Sequence, residues 1–257
     1  MFRGVYNSIS AMLVQESALD VASNNLANAE TSGFSKSLAV AKVYPEGELF
    51  LKEKSGSVPA DSAGKTLGSA GLGVVLSETA VNTSPGVVRT TDNPLDCAID
   101  GDGYFQVSDG RSYYYTRAGN FSLDSDGNII TSSGLLLQGE GGPITPGDAT
   151  SIEIGSNGTV TADGEEIGRI AIYRFASPSY LLRRGNSLLS ETDASGLPEQ
   201  LGADEEKLLT GVLEGSNVNI VVEMTRMIEA SRAYEAASKA FESGSESARE
   251  MIETFGS

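Results

Sequence analysis

The sequence predicts an α+β fold, with a long helix at each end of the chain and an antiparallel β domain between them. Near both termini, apolar residues recur at alternating steps of three and four, which is typical of one helix face. The middle of the chain instead shows short apolar runs separated by Asp-Gly and Asn-Gly pairs, which favour β-hairpins. We expect the apolar stripes of the two terminal helices to pack against further helices.

The N-terminal helix is predicted within residues 1–36. Its stripe has six apolar residues among eight positions, which are Phe2, Val5, Ile9, Met12, Glu16, Leu19, Ser23 and Leu26. The turn signal Thr31-Ser32-Gly33 should end the helix, because glycine suits the left-handed conformation found at helix C-termini.

The C-terminal helix is predicted within residues 214–257. Its stripe runs through Ile220, Met224, Met227, Ser231, Tyr234, Ser238, Phe241, Ser245, Ala248, Ile252 and Phe255. Ser231, Ser238 and Ser245 recur at one heptad position, where small residues let a neighbouring helix approach closely. A helix ending near Phe255 would be about 55 Å long. Such a helix cannot bury its stripe against the shorter N-terminal helix alone.

Each stripe taken singly also fits the core face of an ordinary helix, and that interpretation stays open. The occurrence of the pattern at both ends of one chain favours pairing with further helices.

The middle of the chain, residues 81–213, is predicted to be the antiparallel β domain. Tyr104 to Ser108 and Arg111 to Thr116 flank the pair Asp109-Gly110, a strong hairpin signal. Further turns and runs are Asp126-Gly127, Asn157-Gly158, Asp163-Gly164, Ser151 to Ile154, Thr159 to Ala162 and Arg169 to Phe175. Residues 37–80 are predicted to be a linker or an extended arm, because Tyr44 to Gly73 has no sustained period.

Composition excludes several classes of function. The formal net charge is -17. A surface that binds nucleic acid needs clustered Lys and Arg, so we predict no nucleic-acid partner. The chain has no histidine and one cysteine, so it lacks the commonest general base, the commonest metal ligand and any internal disulfide. We therefore predict no enzyme activity, no cofactor, no metal and no small-molecule substrate.

Individual motifs give no support for ligand binding. Gly64-Lys65-Thr66 resembles the end of a P-loop, but Pro59 stands where that loop needs glycine. Asp124 to Asn128 resembles the start of a calcium loop, but such a loop needs glycine at its sixth position, where this chain has Ile129. Cys97 lies among apolar residues and is expected to be a small buried side chain.

No cleavable leader or membrane span is visible, because polar residues interrupt the apolar positions of the N-terminal segment. By these signals the protein is cytoplasmic or is exported by a route that uses no cleaved leader.

Three groups of segments resemble the bacterial flagellar rod and hook family. The first is Ser23 to Asn28 followed by Thr31 to Phe34, and the second is Asp96 to Val107 with Tyr115 to Phe121. The third is Ser216 to Asn219 followed by Glu223, Met227, Ile228, Arg232, Ala233, Tyr234 and Glu235. Gly139 to Ile144, Ile167 to Ile170 and Gly211 to Val218 resemble the family's proximal rod members more than its distal ones.

The resemblance implies a structural subunit of the flagellar rod, a drive shaft that carries torque from the membrane ring to the hook. It implies export through the flagellar type III apparatus and a location in the basal body across the periplasm. It also implies that the two terminal helices pair as a coiled-coil-like inner domain, with the β domain outside them. The implied partners are copies of the chain, other rod and hook proteins, and membrane-ring and bushing-ring proteins. A distal rod or hook subunit is the alternative within the family.

The predicted assembly interface comprises Val5, Ile9, Met12, Leu19, Asn24, Asn25, Leu26, Asn28, Gly33, Phe34, Asn217, Val218, Asn219, Met224, Met227, Ser231, Tyr234, Ser238 and Phe241. The asparagines near the first helix end either satisfy backbone groups where subunits meet or cap their own helix. Two other classes stay open: a self-contained binding module or adhesin dimerised by its helices, and an acid-base hydrolase that uses paired carboxylates.

Overall fold

The structure is a computed structural model that describes residues 2–50, 66–147, 149–202 and 207–255. Its helices are α1 (Phe2–Ala27) and α2 (Ile220–Phe255), with a 3-10 helix at Pro178–Tyr180. The strands are β1 (Ser37–Phe50), β2 (Thr66–Val81), β3 (Val88–Thr90), β4 (Cys97–Ile99), β5 (Tyr104–Ser108), β6 (Tyr113–Thr116), β7 (Phe121–Leu123), β8 (Ile129–Thr131), β9 (Leu136–Gly139), β10 (Gly142–Pro143), β11 (Ile152–Ile154), β12 (Thr159–Ala162), β13 (Glu165–Arg169), β14 (Ile172–Arg174), β15 (Leu182–Gly185), β16 (Leu188–Ser190), β17 (Glu199–Gln200), β18 (Leu208–Thr210) and β19 (Val212–Glu214). The predicted α+β class is confirmed.

The chain divides into two compact units. The helical unit comprises Met1–Ser23, Ala39–Thr79 and Val221–Ser257, and the β unit comprises Asn24–Leu38 and Ala80–Ile220.

In the helical unit, α1 and α2 form where the apolar stripes predicted them. Neither helix contains proline, and α2 runs for 36 residues, as its stripe indicated. A Cβ added at Gly244 would lie 3.5 Å from the Val5 side chain, so α1 and α2 approach each other at this point. Among the described residues, neither helix offers a stretch long and apolar enough to cross a bilayer.

The predicted arm contains two strands that the sequence did not reveal. β1 and β2 pair in a two-stranded sheet. Much of the segment predicted to be a linker or an extended arm therefore has strand structure. Gly64, Lys65 and Pro59, on which the P-loop comparison depended, lie outside the described residues.

The helix α1 ends earlier than the sequence indicated. It stops at Ala27, and turns through residues 28–32 lead to Gly33, whose φ of 64° is left-handed. The predicted glycine turn is real, but one further turn of chain separates it from the helix because Asn28 already engages the last helical carbonyls.

In the β unit the strand pairs with a described register are antiparallel. The largest sheet has the order β15-β16-β6-β5-β9-β8-β7, with β10 beside β9, β14 beside β5 and β17 beside β14. A three-stranded sheet has the order β11-β12-β13, and β4 with β18 and β3 with β19 form two separate pairs. The predicted antiparallel character is confirmed.

The predicted hairpin around Asp109-Gly110 forms with a longer loop. β6 begins at Tyr113 rather than Arg111, because the Asp109 carboxylate accepts hydrogen bonds from the backbone N–H groups of Arg111 and Ser112 at 2.8 and 2.7 Å. These bonds hold both residues in the turn, so they do not join the strand.

The core of the β unit is apolar and includes aromatic pairs. Phe105 and Phe121 pack edge to face with ring centroids 5.3 Å apart, and Tyr115 and Phe175 do so at 4.8 Å. Cys97 is fully buried in this core, as predicted.

Candidate functional site

Two places bring the predicted interface residues together: a buried polar cluster in the β unit, here called the junction, and the helix faces of the helical unit. The junction comprises Asn25, Gly33, Phe34, Ser37, Asn82, Arg117, Glu214 and Asn217. All eight residues belong to the β unit.

Asn25 links α1 to the first residue of β1. Its side chain is fully buried, its Nδ2 donates to the Ser37 carbonyl at 2.9 Å, and its Oδ1 accepts from the Ser37 N–H at 2.8 Å. The amide thus pairs with Ser37 as a strand neighbour would, and it satisfies both buried backbone groups.

Gly33 brings the turn after α1 against the β unit. Its N–H donates to the Glu214 carbonyl at 2.8 Å, and a Cβ here would lie 2.1 Å from the Ala118 nitrogen. Only a residue without a side chain fits this approach.

Glu214 and Arg117 form a buried ion pair at 3.3 Å. The other carboxylate oxygen of Glu214 accepts from the Gly86 N–H at 2.8 Å, and the Arg117 guanidinium lies 5.2 Å from the centre of the Tyr104 ring. Both charges are therefore compensated, which a buried pair requires because an unpaired buried charge is costly.

Asn217 ties the segment before α2 to two other segments. Its Oδ1 accepts from the Lys36 N–H at 2.7 Å, and its Nδ2 donates to the carbonyls of Asn82 at 3.0 Å and Ser84 at 2.7 Å. One side chain thus connects the chain after α1, the chain after β2 and the chain before α2.

Phe34 is buried, and the Arg183 guanidinium stacks 4.3 Å from the centre of its ring. Arg183 also donates to the Ser35 carbonyl. Burial lowers the pKa of Arg183, but an arginine remains charged near neutral pH. The contact fixes the direction in which the chain leaves Gly33.

The predicted asparagine cluster therefore divides by role. Asn28 donates to the Asn24 carbonyl at 2.8 Å, so it caps its own helix, whereas Asn25 reaches another strand. The side chain of Asn24 is exposed, as is that of Asn219.

Sequence reasoning missed the charged members of the junction, Arg117 and Glu214. Each is the single charged residue within an otherwise uncharged stretch, Tyr113 to Phe121 and Leu208 to Val218 respectively. A lone opposite charge in each of two strand-like segments was the signal available for this pair.

The predicted seam of α2 is partly covered within the single chain. Met227, Ser231, Tyr234, Ser238 and Phe241 are partly buried, whereas Met224 and Ser245 are exposed. The seam residues of α1 behave alike: Val5, Met12, Leu19 and Leu26 are partly buried and Ile9 is exposed. Val218, before α2, is also partly buried. Each seam is therefore only partly shielded from solvent in the single chain.

The chemistry of the described residues does not favour catalysis. Among them, no three Cys, Asp or Glu side chains are grouped to hold a metal ion. Burial, with a smaller contribution from the Asp96 charge, raises the pKa of the Cys97 thiol well above its ordinary value, so it stays protonated and unreactive.

The loop considered for calcium is self-satisfied. Asp124 accepts from the backbone N–H groups of Asp126 and Asn128 and from the Asn128 side chain, and these bonds lower the pKa of its carboxyl group. It is a turn, as its Asp-Gly sequence also indicates.

Comparison with known proteins is decisive for the family. Three family descriptions match in chain order: "Flagella basal body rod protein" over residues 5–34, "Flagellar hook protein FlgE/F/G D1 domain" over residues 98–162, and "Flagellar basal body rod FlgEFG protein C-terminal" over residues 209–254. The flagellar basal-body rod protein FlgG of Bacillus subtilis is 36% identical over 98% of this chain and 98% of its own length. The chain belongs to the flagellar basal-body rod protein family.

Other relatives of the rod protein support the same placement. The flagellar basal-body rod protein FlgG of Borreliella burgdorferi is 32% identical, with 94% of each chain covered. The flagellar basal-body rod protein FlgF of Caulobacter vibrioides is 30% identical over 100% of this chain and 99% of its own. The resemblance on which the sequence interpretation depended is confirmed, and the rod protein is a structural subunit rather than an enzyme.

Most of the junction and of the two seams lies within the matched segments of the rod protein, whereas Ser37 and Asn82 lie outside them. Asn25, Gly33 and the α1 seam fall in the first matched segment, and Asn217 with most of the α2 seam falls in the last. Both candidate surfaces therefore fall largely within the segments that match the family.

Proposed function

We propose that α1 and α2 pair antiparallel in each rod subunit and that this pair packs against copies of itself and against other rod and hook proteins to form the shaft. The contact between Val5 and Gly244 supports this orientation. A parallel α1, starting beside Gly244, would extend past the end of α2 at Phe255 for much of its length. An antiparallel α1 has α2 beside it throughout.

Partial burial of both seams supports packing beyond the single chain. Seam residues such as Met227 and Tyr234 are partly buried, whereas the seam residues Met224 and Ile9 are exposed. Burying apolar surface contributes about 25 cal/mol per Å², so covering these faces with further helices favours assembly.

Torque transmission needs contacts that resist shear. Closely packed helices have the density of organic crystals and yield little, and small residues such as Ser231 and Ser238 permit close approach. The junction suits the same purpose, because hydrogen bonds of Asn25 and Asn217 tie together segments that continue into α1, β1, β2 and α2. A twisting load on one segment is thereby shared among the others.

The proposal includes export through the flagellar type III apparatus and insertion across the periplasm. It also includes contact with membrane-ring and bushing-ring proteins. The sequence favours the proximal part of the rod.

The test uses two serines of the same heptad series. Ser238 is partly buried and Ser245 is exposed. Ser238→Phe should prevent close helix approach and abolish both incorporation into basal bodies and swimming, whereas Ser245→Phe should preserve both. An antibody label on purified basal bodies measures incorporation, and its position distinguishes the proximal rod from the distal rod or the hook.

Equal incorporation of both variants would contradict helix packing as the basis of assembly. Unchanged monomer circular dichroism for Ser238→Phe is required, since it separates an assembly defect from misfolding. A self-contained binding module or adhesin makes the opposite prediction, because its β domain would retain ligand binding whichever serine is replaced.

A further inference from the structure

A groove in the helical unit lies between α1 and β2. This α1–β2 groove has a volume of about 370 Å³ and is lined by Tyr6, Ser10, Leu13, Val14, Ser17 and Gly73 to Leu76. Tyr6 and Leu13 are 67% and 59% exposed, so large apolar side chains stand open to water on its wall. Such a surface is costly unless another molecule covers it.

A ridge of complementary character lies on α2. Val221, Met224 and Ile228, here called the α2 ridge, are 72%, 49% and 54% exposed. Their spacing of three and then four residues places them on one side of the helix, the pattern of anchors by which a helix enters a groove. Met224 also belongs to the predicted α2 seam, whereas Val221 and Ile228 do not, and the seam residues Met227, Ser231 and Tyr234 are partly buried within the chain.

We propose that the α2 ridge of one copy of this protein seats in the α1–β2 groove of the next copy. This inference rests on the proposed function, in which α1 and α2 run antiparallel in each subunit, and it takes all copies in the shaft to share one polarity. A neighbour's α2 then runs antiparallel to α1, so Val221 meets Leu13 and Ile228 meets Tyr6.

The spacings on the two surfaces match in that orientation. Along the groove, steps of four and three residues separate Tyr6, Ser10 and Leu13. Along the ridge, read in reverse, steps of four and three separate Ile228, Met224 and Val221. All three contacts therefore form together without a change of register.

The middle contact also matches in size. Ser10 is small, and its hydroxyl is already engaged, because it donates to the Asn7 carbonyl at 2.9 Å and accepts from the Val74 N–H at 3.3 Å. A long, flexible methionine side chain such as that of Met224 fills the space above a small, satisfied residue without stranding a polar group.

The occupant is a second copy because groove and ridge are different surfaces of the same chain. Such a contact is heterologous: each copy offers its groove to one neighbour and its ridge to another, so the contact propagates along a helical assembly instead of closing in a dimer. A polymeric rod requires a contact of this kind.

Four variants, each with one cysteine added to the native Cys97, test the register. The variants are Tyr6→Cys, Leu13→Cys, Val221→Cys and Ile228→Cys. Two variants at a time are mixed, assembled and oxidised, and the disulfide-linked dimers are measured on denaturing gels. The native Cys97 is fully buried, so the unaltered chain is the blank. Dimers should form from Leu13→Cys with Val221→Cys and from Tyr6→Cys with Ile228→Cys.

The mismatched pairs use the same four chains. These pairs are Tyr6→Cys with Val221→Cys and Leu13→Cys with Ile228→Cys. In each pair the two cysteines are one heptad out of register, about 10 Å along the helix, which exceeds the reach of a disulfide. The mismatched pairs should therefore form no disulfide-linked dimer. Equal dimer from matched and mismatched pairs, or polymers without dimer from either matched pair, would overturn the inference. If the unaltered chain forms no polymer, the proposed function itself fails and this inference falls with it.

Discussion

Gly33 shows how one residue determines where the chain after α1 goes. Its backbone is left-handed, and the Ala118 backbone fills the space where a side chain would stand. The turn was predictable from Thr31-Ser32-Gly33, but the close approach was not, because Ala118, 85 positions along the chain, creates it. A local signal reports a local conformation and does not reveal which segment packs against it.

Gly33→Ala should lower the free energy of unfolding by about 3 kcal/mol, because backbone strain and overpacking add. Gly134→Ala is the matched control: Gly134 is also left-handed, but a Cβ there would meet nothing within 4 Å. The control should lose about 1 kcal/mol. Urea unfolding followed by circular dichroism measures both. Equal losses would show that the approach to Ala118 relaxes without cost.

The asparagines and charged residues of the junction mark the limit of single-residue reasoning. Asn25 and Asn28 stand one helical turn apart in the same motif, yet one pairs with Ser37 and the other caps its own helix. Their sequence environments are nearly alike, so only the position of β1 separates their roles. That position is a tertiary fact.

Whole helices were more predictable than strands. The heptad stripes indicated both α1 and α2, and the end of α2 at Phe255 agrees with its stripe, because periodicity over many residues is a strong signal. β1 and β2 escaped notice, since the Gly- and Ser-rich stretch of β2 and the mixed pattern of β1 show no clear alternation. Pairing between the strands, rather than local propensity, accounts for them.

The helix α2 is expected to gain much of its stability on assembly. Within Met224 to Phe241, Ala230 alone is buried in the single chain, whereas every residue of β5, Tyr104–Ser108, is buried. A helix with little tertiary packing opens readily, so its amides should exchange with solvent faster than those of β5.

Hydrogen exchange read by mass spectrometry on purified monomer measures this difference. Protection across Met224 to Phe241 should be weak in the monomer and should rise on assembly, while that of β5 stays constant as the internal control. Strong protection of α2 in the monomer, equal to that of β5, would mean that the helix needs no further subunit.

At the scale of the whole molecule, the separation of charge from the helices was visible in the sequence. Residues 1–36 carry a net charge of -1 and residues 216–257 a net charge of -3, which leaves -13 for the remainder. The terminal segments therefore approach copies of themselves with little repulsion, while the acidic remainder opposes close assembly through its summed field. Composition predicts this balance, although it does not predict which residues touch.

Assembly should therefore become more favourable as salt rises from about 0.01 to about 0.15 M, where the Debye length falls from about 30 to about 8 Å. Sedimentation of polymer from purified chain at several concentrations of sodium chloride measures the critical concentration, which should decrease. A double variant, Glu165→Lys with Glu166→Lys, offers a control. Both side chains are exposed in β13, which belongs to the β unit, so the substitutions leave the helices unchanged. This variant reduces the negative charge by four, so it should polymerise at lower salt than the unaltered chain. A critical concentration that rises with salt, in either chain, would mean that attraction between opposite charges drives assembly and that the apolar helix faces do not.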